Sequence, residues 1–173
     1  FNRKIFTFKQ FFIDLGFSIY KIPASIAMSR NKKISKKFRE KIMTVVTAVN
    51  GCTYCAWFHG KRAVSSGISK KEIRNMLDLQ FKTDSSEYEL LGLLYAQHYA
   101  ESNRETDREM EQKLLEFYGK KTAGHIRLII RMITFGNLSG NTFDAFLSRF
   151  KGQKAPNSNI LFEAFFFLIS APF

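Results

Sequence analysis

The side chains with the clearest chemical potential are Cys52 and Cys55, the only two cysteines in the 173-residue chain. Cysteines three positions apart on a helix lie on one face, within reach of a disulfide bond. A secreted disulfide framework needs several cysteines, so a lone C-x-x-C pair indicates redox chemistry or metal binding in a reducing compartment. The pair therefore predicts either a redox-active disulfide or part of a metal site.

His59 lies four positions after Cys55, so a helix that starts just after Gly51 places its imidazole one turn above that cysteine. An imidazole there can accept the thiol proton or stabilise the thiolate. The free N–H groups of the helix start would instead favour a thiolate at Cys52. We favour Cys55 as the reactive thiol, because a base offers both activation and proton transfer.

Two other interpretations of the cysteine pair stay open at this point. Both cysteines could be plain core residues of an apolar helix. They could also bind zinc together with His59 and a fourth ligand from Glu40, His98 or His125, although the sequence has no second C-x-x-C or H-x3-H half.

Apolar residues recur every three or four positions along almost the whole chain, which predicts an all-α single domain of about seven to nine helices. No segment alternates long enough to be a strand, which argues against a βαβ thioredoxin fold. The first helix is expected to stop near Pro23. Predicted helix N-caps are Ser35, Ser69, a residue within 84–86, and Thr106 or Asp107.

Glycines are predicted to end several helices, among them Gly51, Gly119 and Gly136. A shift of 85 positions aligns the break at Gly51 with that at Gly136 and suggests a duplicated helical hairpin. The second copy then has Asn137, Gly140 and Asp144 where the first has Cys52, Cys55 and His59. The alternative is that glycine simply ends helices of similar length.

The net charge of +12 and the pI near 9.8 raise the question of a polyanionic partner. A basic, non-enzymatic nucleic-acid-binding domain would use Lys32, Lys33, Lys36, Lys37, Lys70 and Lys71. No recognition motif accompanies these lysines, so we favour solvated helix faces over nucleic-acid binding. The apolar run 160–169 is short and contains Glu163, which argues against a membrane span and predicts a cytoplasmic protein.

The motif residues resemble the alkylhydroperoxidase D (AhpD)-like branch of the carboxymuconolactone decarboxylase superfamily. That family's pattern is a Glu, eleven residues, C-x-x-C, three residues and a His, and Glu40, the cysteine pair and His59 meet every spacing. The resemblance is strong over about 35–79 and only general as far as Gly152. It does not cover the Phe-rich segments 1–30 and 153–173, which we interpret as helical extensions of one AhpD-like domain, 1–173.

The resemblance implies a thiol-dependent peroxidase or disulfide reductase that works without a bound cofactor or metal. Cys55 would be the peroxidatic thiol, Cys52 the resolving thiol, and Glu40 with His59 the proton relay. Without the resemblance, Glu40 would be interpreted as a solvated surface residue. The best-known AhpD proteins have a second His between the cysteines, where this chain has Tyr54.

The resemblance also implies partners: a hydroperoxide, a dithiol or protein reductant, and copies of the chain in a trimer or hexamer. The Phe-rich ends suggest independently that one or both of them pack against a neighbouring subunit. The residues concerned are Phe6, Phe8, Phe11, Phe12, Phe17, Phe162, Phe165, Phe166 and Phe167. A second enzyme class is a decarboxylase of the carboxymuconolactone type, which needs no cysteine pair; the pair at family spacing argues against it.

Overall fold

The computed structural model describes residues 1–82, 85–156 and 158–170, and within these ranges the chain forms eight α-helices and no strand. The all-α prediction is therefore confirmed. The helices are α1 (Phe8–Tyr20), α2 (Ile22–Ser29), α3 (Lys36–Asn50), α4 (Thr53–Ser65), α5 (Lys70–Leu77), α6 (Glu87–Glu101), α7 (Arg108–Arg149) and α8 (Ile160–Ser170).

The predicted N-caps at Ser35, Ser69 and Ser86 are confirmed, because each side-chain oxygen accepts a hydrogen bond from the backbone N–H three residues later. Of the two candidates for α7, Asp107 is the cap. Asp84, the other end of the predicted cap region before α6, lies outside the described residues.

Helix α3 is the centre of the main core and packs against α4, α5, α6 and α7. Its apolar face carries Phe38, Ile42, Val45 and Val46, which are almost completely buried. Helix α4 packs back on α3 after the turn at Gly51, so the cysteine motif lies in a helical hairpin against the centre of the molecule.

One predicted helix boundary is confirmed and one is wrong. Helix α1 ends at Tyr20, close to Pro23 as predicted, and Pro23 itself lies in the first turn of α2, where its missing N–H costs nothing. Gly136 lies inside α7, which continues through it to Arg149, whereas Gly119 has a φ of 73° and kinks the same helix. The proposed duplication of a broken hairpin fails at Gly136, because packing of the surrounding apolar residues outweighs the small helix cost of one glycine, about 1 kcal/mol.

The Phe-rich ends form a second, smaller core within the chain. Phe6, Phe11, Phe162 and Phe166 are buried together there, against α7. The expectation that one or both ends pack on a neighbouring subunit started from more exposed aromatic surface than the structure has. What remains exposed is the outward face of α1 and α8, with Phe8, Phe12, Leu161, Phe165 and Leu168.

The acidic residues of these two terminal helices point inward. Asp14 of α1 pairs with Arg104, and Glu163 of α8 pairs with Arg149; both carboxylates are almost fully buried. Among the described helices, none is by itself long and apolar enough to cross a membrane. Only α1 and α2 together, with a 56° bend between them, meet the length and composition criteria.

Candidate redox site

The cysteine motif begins at a sharp turn between two helices. Helix α3 ends at Asn50, and Gly51 follows with a φ of 69°, a left-handed conformation that favours glycine. Cys52 is extended and caps α4, which begins at Thr53. The helix therefore starts one residue later than predicted, and only Cys55 of the pair lies within it.

Cys52 and Cys55 are joined by a disulfide, with 5.3 Å between their Cα atoms. Both side chains are buried, at 2% and 7% exposure, respectively. The Cys52 sulfur also lies 3.3 Å from the backbone nitrogen of Cys55, so it caps the first turn of α4. The backbone thus brings the two sulfurs into bonding distance, as the spacing predicted.

The Glu40 side chain on α3 is completely buried and is bound by two residues of α4. Its Oε2 lies 3.0 Å from His59 Nδ1, and its Oε1 accepts a hydrogen bond of 2.8 Å from Arg62 Nε. Burial by itself would raise the pKa of Glu40, but the hydrogen bonds and charges of His59 and Arg62 outweigh it and lower that pKa below its usual range. Glu40 is therefore a buried carboxylate at neutral pH, not the solvated residue that its type alone suggests.

An ionised Glu40 determines which nitrogen of His59 carries the proton. A carboxylate only accepts hydrogen bonds, so His59 Nδ1 must donate, and neutral His59 has its lone pair on Nε2. Nε2 makes no hydrogen bond with any residue that the structure describes. The predicted contact between Glu40 and His59 is thus confirmed, and the imidazole is held in the form that can act as a base.

The predicted relay also requires a contact between His59 and the Cys55 sulfur. In this disulfide form, no hydrogen bond joins the two side chains among the described residues. The polar atom near the Cys55 sulfur is the Gly136 carbonyl oxygen, at 3.8 Å. His59 and Cys55 are four residues apart on α4 and share one face of the helix. Proton transfer between them stays a prediction for the reduced protein.

Helix α7 forms the opposite wall of the disulfide and approaches it through glycine. A Cβ atom placed on Gly140 would lie 2.9 Å from the Cys52 sulfur and 3.7 Å from the Cys55 sulfur. A Cβ on Gly136, one turn earlier, would meet nothing within 4 Å. Gly140 therefore provides the space in which the disulfide packs.

A network of buried amides and a hydroxyl holds the turn before Cys52 against α7. Asn137 donates to Thr47 Oγ1 at 3.0 Å and accepts from Asn50 at 3.3 Å. Asn141 donates to the Asn50 carbonyl at 2.8 Å. The shift of 85 positions aligned Asn137 and Gly140 with the two cysteines. Both residues pack directly against the hairpin that carries the cysteine motif.

Three exposed aromatic side chains cover the outer face of α4, the helix that carries the motif. The rings of Tyr54 and Trp57 lie 6.0 Å apart, and those of Tyr54 and Phe58 6.5 Å apart. Lys61 places its ammonium 3.9 Å from the centre of the Trp57 ring. These exposed rings give the outer face of α4 an apolar surface.

Of the three candidates for a fourth zinc ligand, Glu40 contacts His59, but His98 and His125 do not join the motif. His98 lies 3.2 Å from Asp107, and His125 lies 2.8 Å from Asn31, so each has a partner elsewhere. Among the described residues, no group of three or more His, Cys, Asp or Glu side chains could hold a metal ion.

Sequence reasoning missed two residues of this site. Arg62 follows His59 by three positions and so shares its helix face, a signal that could have identified it as a partner of Glu40. Gly140 gave no such signal, because its role depends on how α7 packs against the hairpin.

Residues 11–81 match the family model for the carboxymuconolactone decarboxylase family, which is less than half of the chain. The match includes Glu40, the cysteine pair, His59 and Arg62, and it supports the resemblance to this superfamily. It begins inside the first Phe-rich segment, so the expectation that the likeness excludes 1–30 is wrong. Searches of curated proteins and of solved structures give no match.

Proposed function

We propose that this chain is a thiol-dependent oxidoreductase of the AhpD-like type, with Cys52 and Cys55 as its redox pair. The observation that carries the proposal is the buried Glu40 carboxylate bound to His59, on the same helix face as a cysteine already in a disulfide. A structural disulfide needs neither a buried carboxylate nor an oriented imidazole. Burial of these two polar groups costs folding free energy, and such groups are concentrated at functional sites.

The reaction begins with the Cys55 thiolate, which attacks one oxygen of a hydroperoxide. A sulfur–oxygen bond forms, the oxygen–oxygen bond breaks, and the alcohol leaves with a proton. The Cys52 thiol then attacks the resulting sulfenic acid, a disulfide forms, and water leaves. An external dithiol reduces the disulfide and is itself oxidised, which returns both cysteines to thiols.

The Glu40–His59 pair handles the protons of this cycle. Neutral His59 takes the Cys55 proton through Nε2 and becomes an imidazolium, which the Glu40 carboxylate stabilises across the Nδ1 contact. The imidazolium then supplies the proton that the departing alkoxide needs. Arg62 holds the other oxygen of Glu40 and so keeps the carboxylate ionised during the transfer.

Single-cysteine variants test the assigned roles. Reduced protein is expected to consume an alkyl hydroperoxide slowly with dithiothreitol as the reductant, and Cys55→Ser is expected to abolish this. Cys52→Ser should complete one oxidation and stop as a sulfenic acid, detectable by dimedone labelling and intact mass. Loss of the first oxidation in Cys52→Ser would reverse the roles, and full activity in both variants would exclude the pair as the site.

A decarboxylase of the carboxymuconolactone type is a second candidate, because the family match at 11–81 supports it equally. Such a reaction needs an acid and a base but no thiol. Decarboxylation of the lactone acid that persists in the Cys52→Ser/Cys55→Ser double variant, with no peroxide consumption in the parent protein, would favour this candidate.

We also propose that the chain assembles with copies of itself, as a trimer or hexamer. The support is the outward face of α1 and α8, which is rich in exposed apolar side chains such as Phe8, Phe12, Leu161 and Leu168. Light scattering at micromolar concentration measures the mass directly. A monomer would contradict the proposal, and a Phe12→Lys/Leu168→Lys variant of lower mass would place the interface.

A further inference from the structure

A cavity of about 580 Å³ lies between α1, α6 and α7, away from the disulfide. Small-molecule sites typically measure about 300–1,000 Å³. Four cationic side chains and two carboxylates line this space. The cations are Lys9, Arg104, Arg127 and Arg131, and the carboxylates are Asp14 and Glu111. We call this space the arginine cavity; its wall carries an excess of positive charge.

The two carboxylates are already engaged by two of the arginines. Asp14 accepts from Arg104 at 2.5 Å, and Glu111 accepts from Arg127 at 2.8 Å. Arg131 lies 3.9 Å from Asp14, which is beyond hydrogen-bonding distance. Its guanidinium instead stacks on the Phe17 ring, 3.3 Å from the ring centre, an arrangement that leaves its N–H edge available.

Lys9 makes no ion pair with any described residue, so it is a second cation with free hydrogen-bond donors. Tyr99 provides a third unused donor. Its side chain is nine-tenths buried and lines the arginine cavity, and its hydroxyl makes no hydrogen bond within the part of the chain described. Among the described residues this hydroxyl is not one of the buried polar atoms that lack a partner, so it is open to the cavity and free to donate to a ligand there.

The protonation state of Tyr99 fits a donor role. Burial raises the pKa of Tyr99, and the nearby charges of Arg104 and Arg131 only partly offset that effect. The hydroxyl therefore stays protonated at neutral pH and can donate. Ile13 and the ring of Tyr95 add an apolar surface to the same space.

We propose that the arginine cavity binds a small organic anion, whose carboxylate or phosphate group is held by Arg131, Lys9 and the Tyr99 hydroxyl. Charge-assisted hydrogen bonds from a guanidinium and a phenol are the strong contacts for such a group. The apolar part of the ligand packs against Ile13. This site is separate from the cysteine pair and does not depend on the proposed redox reaction.

A second cavity of about 600 Å³ adjoins the first and shares Thr7, Gln10 and Arg104 with it. It extends to Asn50 and Gly51, directly before Cys52. A ligand longer than the arginine cavity therefore extends from its anionic end toward the turn that carries the redox pair.

Calorimetric titration of the full chain in low-chloride buffer tests the proposal with four probes: benzoate, phenyl phosphate, inorganic phosphate and benzamide. Benzoate and benzamide have nearly the same shape but differ in charge. We expect benzoate, phenyl phosphate or both to bind, and benzamide not to bind. The stronger of the two organic anions identifies the head group. Equal binding of benzoate and benzamide, or of phenyl phosphate and inorganic phosphate, would overturn the assignment of an organic anion.

Variants then locate the bound anion. Arg131→Gln is expected to weaken binding about tenfold or more, and Tyr99→Phe roughly fivefold, since each removes one donor to a charged group. Arg30→Gln is the matched control; it removes the same charge from an exposed position at the end of α2 and should leave binding unchanged. Tyr99→Phe keeps the ring and its packing, so its result holds even if Arg131→Gln fails to fold. No difference between Tyr99→Phe and the parent protein, or no saturable binding of any anion, would overturn the proposal.

Discussion

Glu40 Oε2 and His59 Nδ1 lie 3.0 Å apart, although the two residues are 19 positions apart in the sequence. The turn at Gly51 folds α4 back along α3 and so brings a fully buried carboxylate to the imidazole. Each of the two side chains thereby determines the state of the other: the carboxylate fixes the tautomer of the imidazole, and the imidazole helps to keep the carboxylate ionised.

The lowered pKa of Glu40 predicts how stability depends on pH. A carboxyl group whose folded pKa lies below its unfolded value, about 4.3, stabilises the fold fully above that value, and loses this contribution as the pH falls through the folded pKa. The free energy of unfolding of Glu40→Gln is expected to be about 1–3 kcal/mol lower than that of the parent protein at pH 7. This difference should shrink toward pH 3. Urea titrations at several pH values measure this.

Glu105→Gln is the control for that experiment, because Glu105 is exposed and has no side-chain hydrogen bond among the described residues. It should follow the parent protein across the whole pH range. A Glu40→Gln difference that stays constant or grows on acidification would contradict the assigned ion pairs.

The proton relay predicts the pH dependence of Cys55 reactivity. In the Cys52→Ser background only Cys55 can be alkylated, and half-maximal alkylation is expected below the value of about pH 8.5 for an ordinary thiol. Replacement of His59 by alanine should move that midpoint upward, because the imidazole no longer accepts the proton. His125→Ala removes a histidine bonded to Asn31 and is the matched control. An unchanged midpoint in His59→Ala would exclude the relay.

The local motif was predictable from the sequence because it depends on helical register. Cys55 and His59 are one turn apart on any helix, and a short turn at Gly51 returns that helix toward Glu40. The resemblance singled out Glu40, since its residue type alone gives no reason to expect complete burial.

The wall formed by α7 was not predictable in the same way. Gly119 and Gly136 are the same residue type in similar helical sequence, yet only Gly119 takes a positive φ. Which of the two interrupts the helix depends on packing with distant elements. The approach of Gly140 to the Cys52 sulfur results from the same packing, over 88 positions of sequence, and no local pattern indicates it.

A buried lysine joins three helices and predicts a large loss of stability when it is replaced. Lys41 on α3 makes ion pairs of 2.8 Å with Glu72 on α5 and with Glu89 on α6, and its side chain is only 4% exposed. Burial by itself would lower the pKa of Lys41, but these two carboxylates outweigh it and raise that pKa.

Lys41→Met leaves two nearby carboxylates without their cation, and we expect the free energy of unfolding to fall by about 2–4 kcal/mol. Lys113→Met is the matched control; it breaks an exposed pair with Glu109 on one helix and should leave stability unchanged within error. Equal losses in the two variants would show that the burial of Lys41 does not matter. Chemical denaturation at pH 7 compares them.

The packing of α7 on the disulfide predicts opposite effects for two glycine substitutions one turn apart. Alanine normally stabilises a helix interior relative to glycine by about 1 kcal/mol. Gly136→Ala has open space for its Cβ and should gain that amount. Gly140→Ala places a Cβ 2.9 Å from the Cys52 sulfur, which the disulfide prevents from rotating away, so the oxidised protein should lose about 1–3 kcal/mol.

Reduction separates this contact from a general defect in α7. A free Cys52 thiol can change its rotamer, so a dithiol reductant should remove most of the Gly140→Ala penalty and leave the Gly136→Ala gain unchanged. Thermal unfolding of both variants and of the parent protein, with and without reductant, gives the six values needed. If Gly140→Ala costs as much in the reduced protein as in the oxidised one, the penalty comes from the helix and not from the disulfide. If it stabilises both forms, α7 does not pack on the sulfurs at this position.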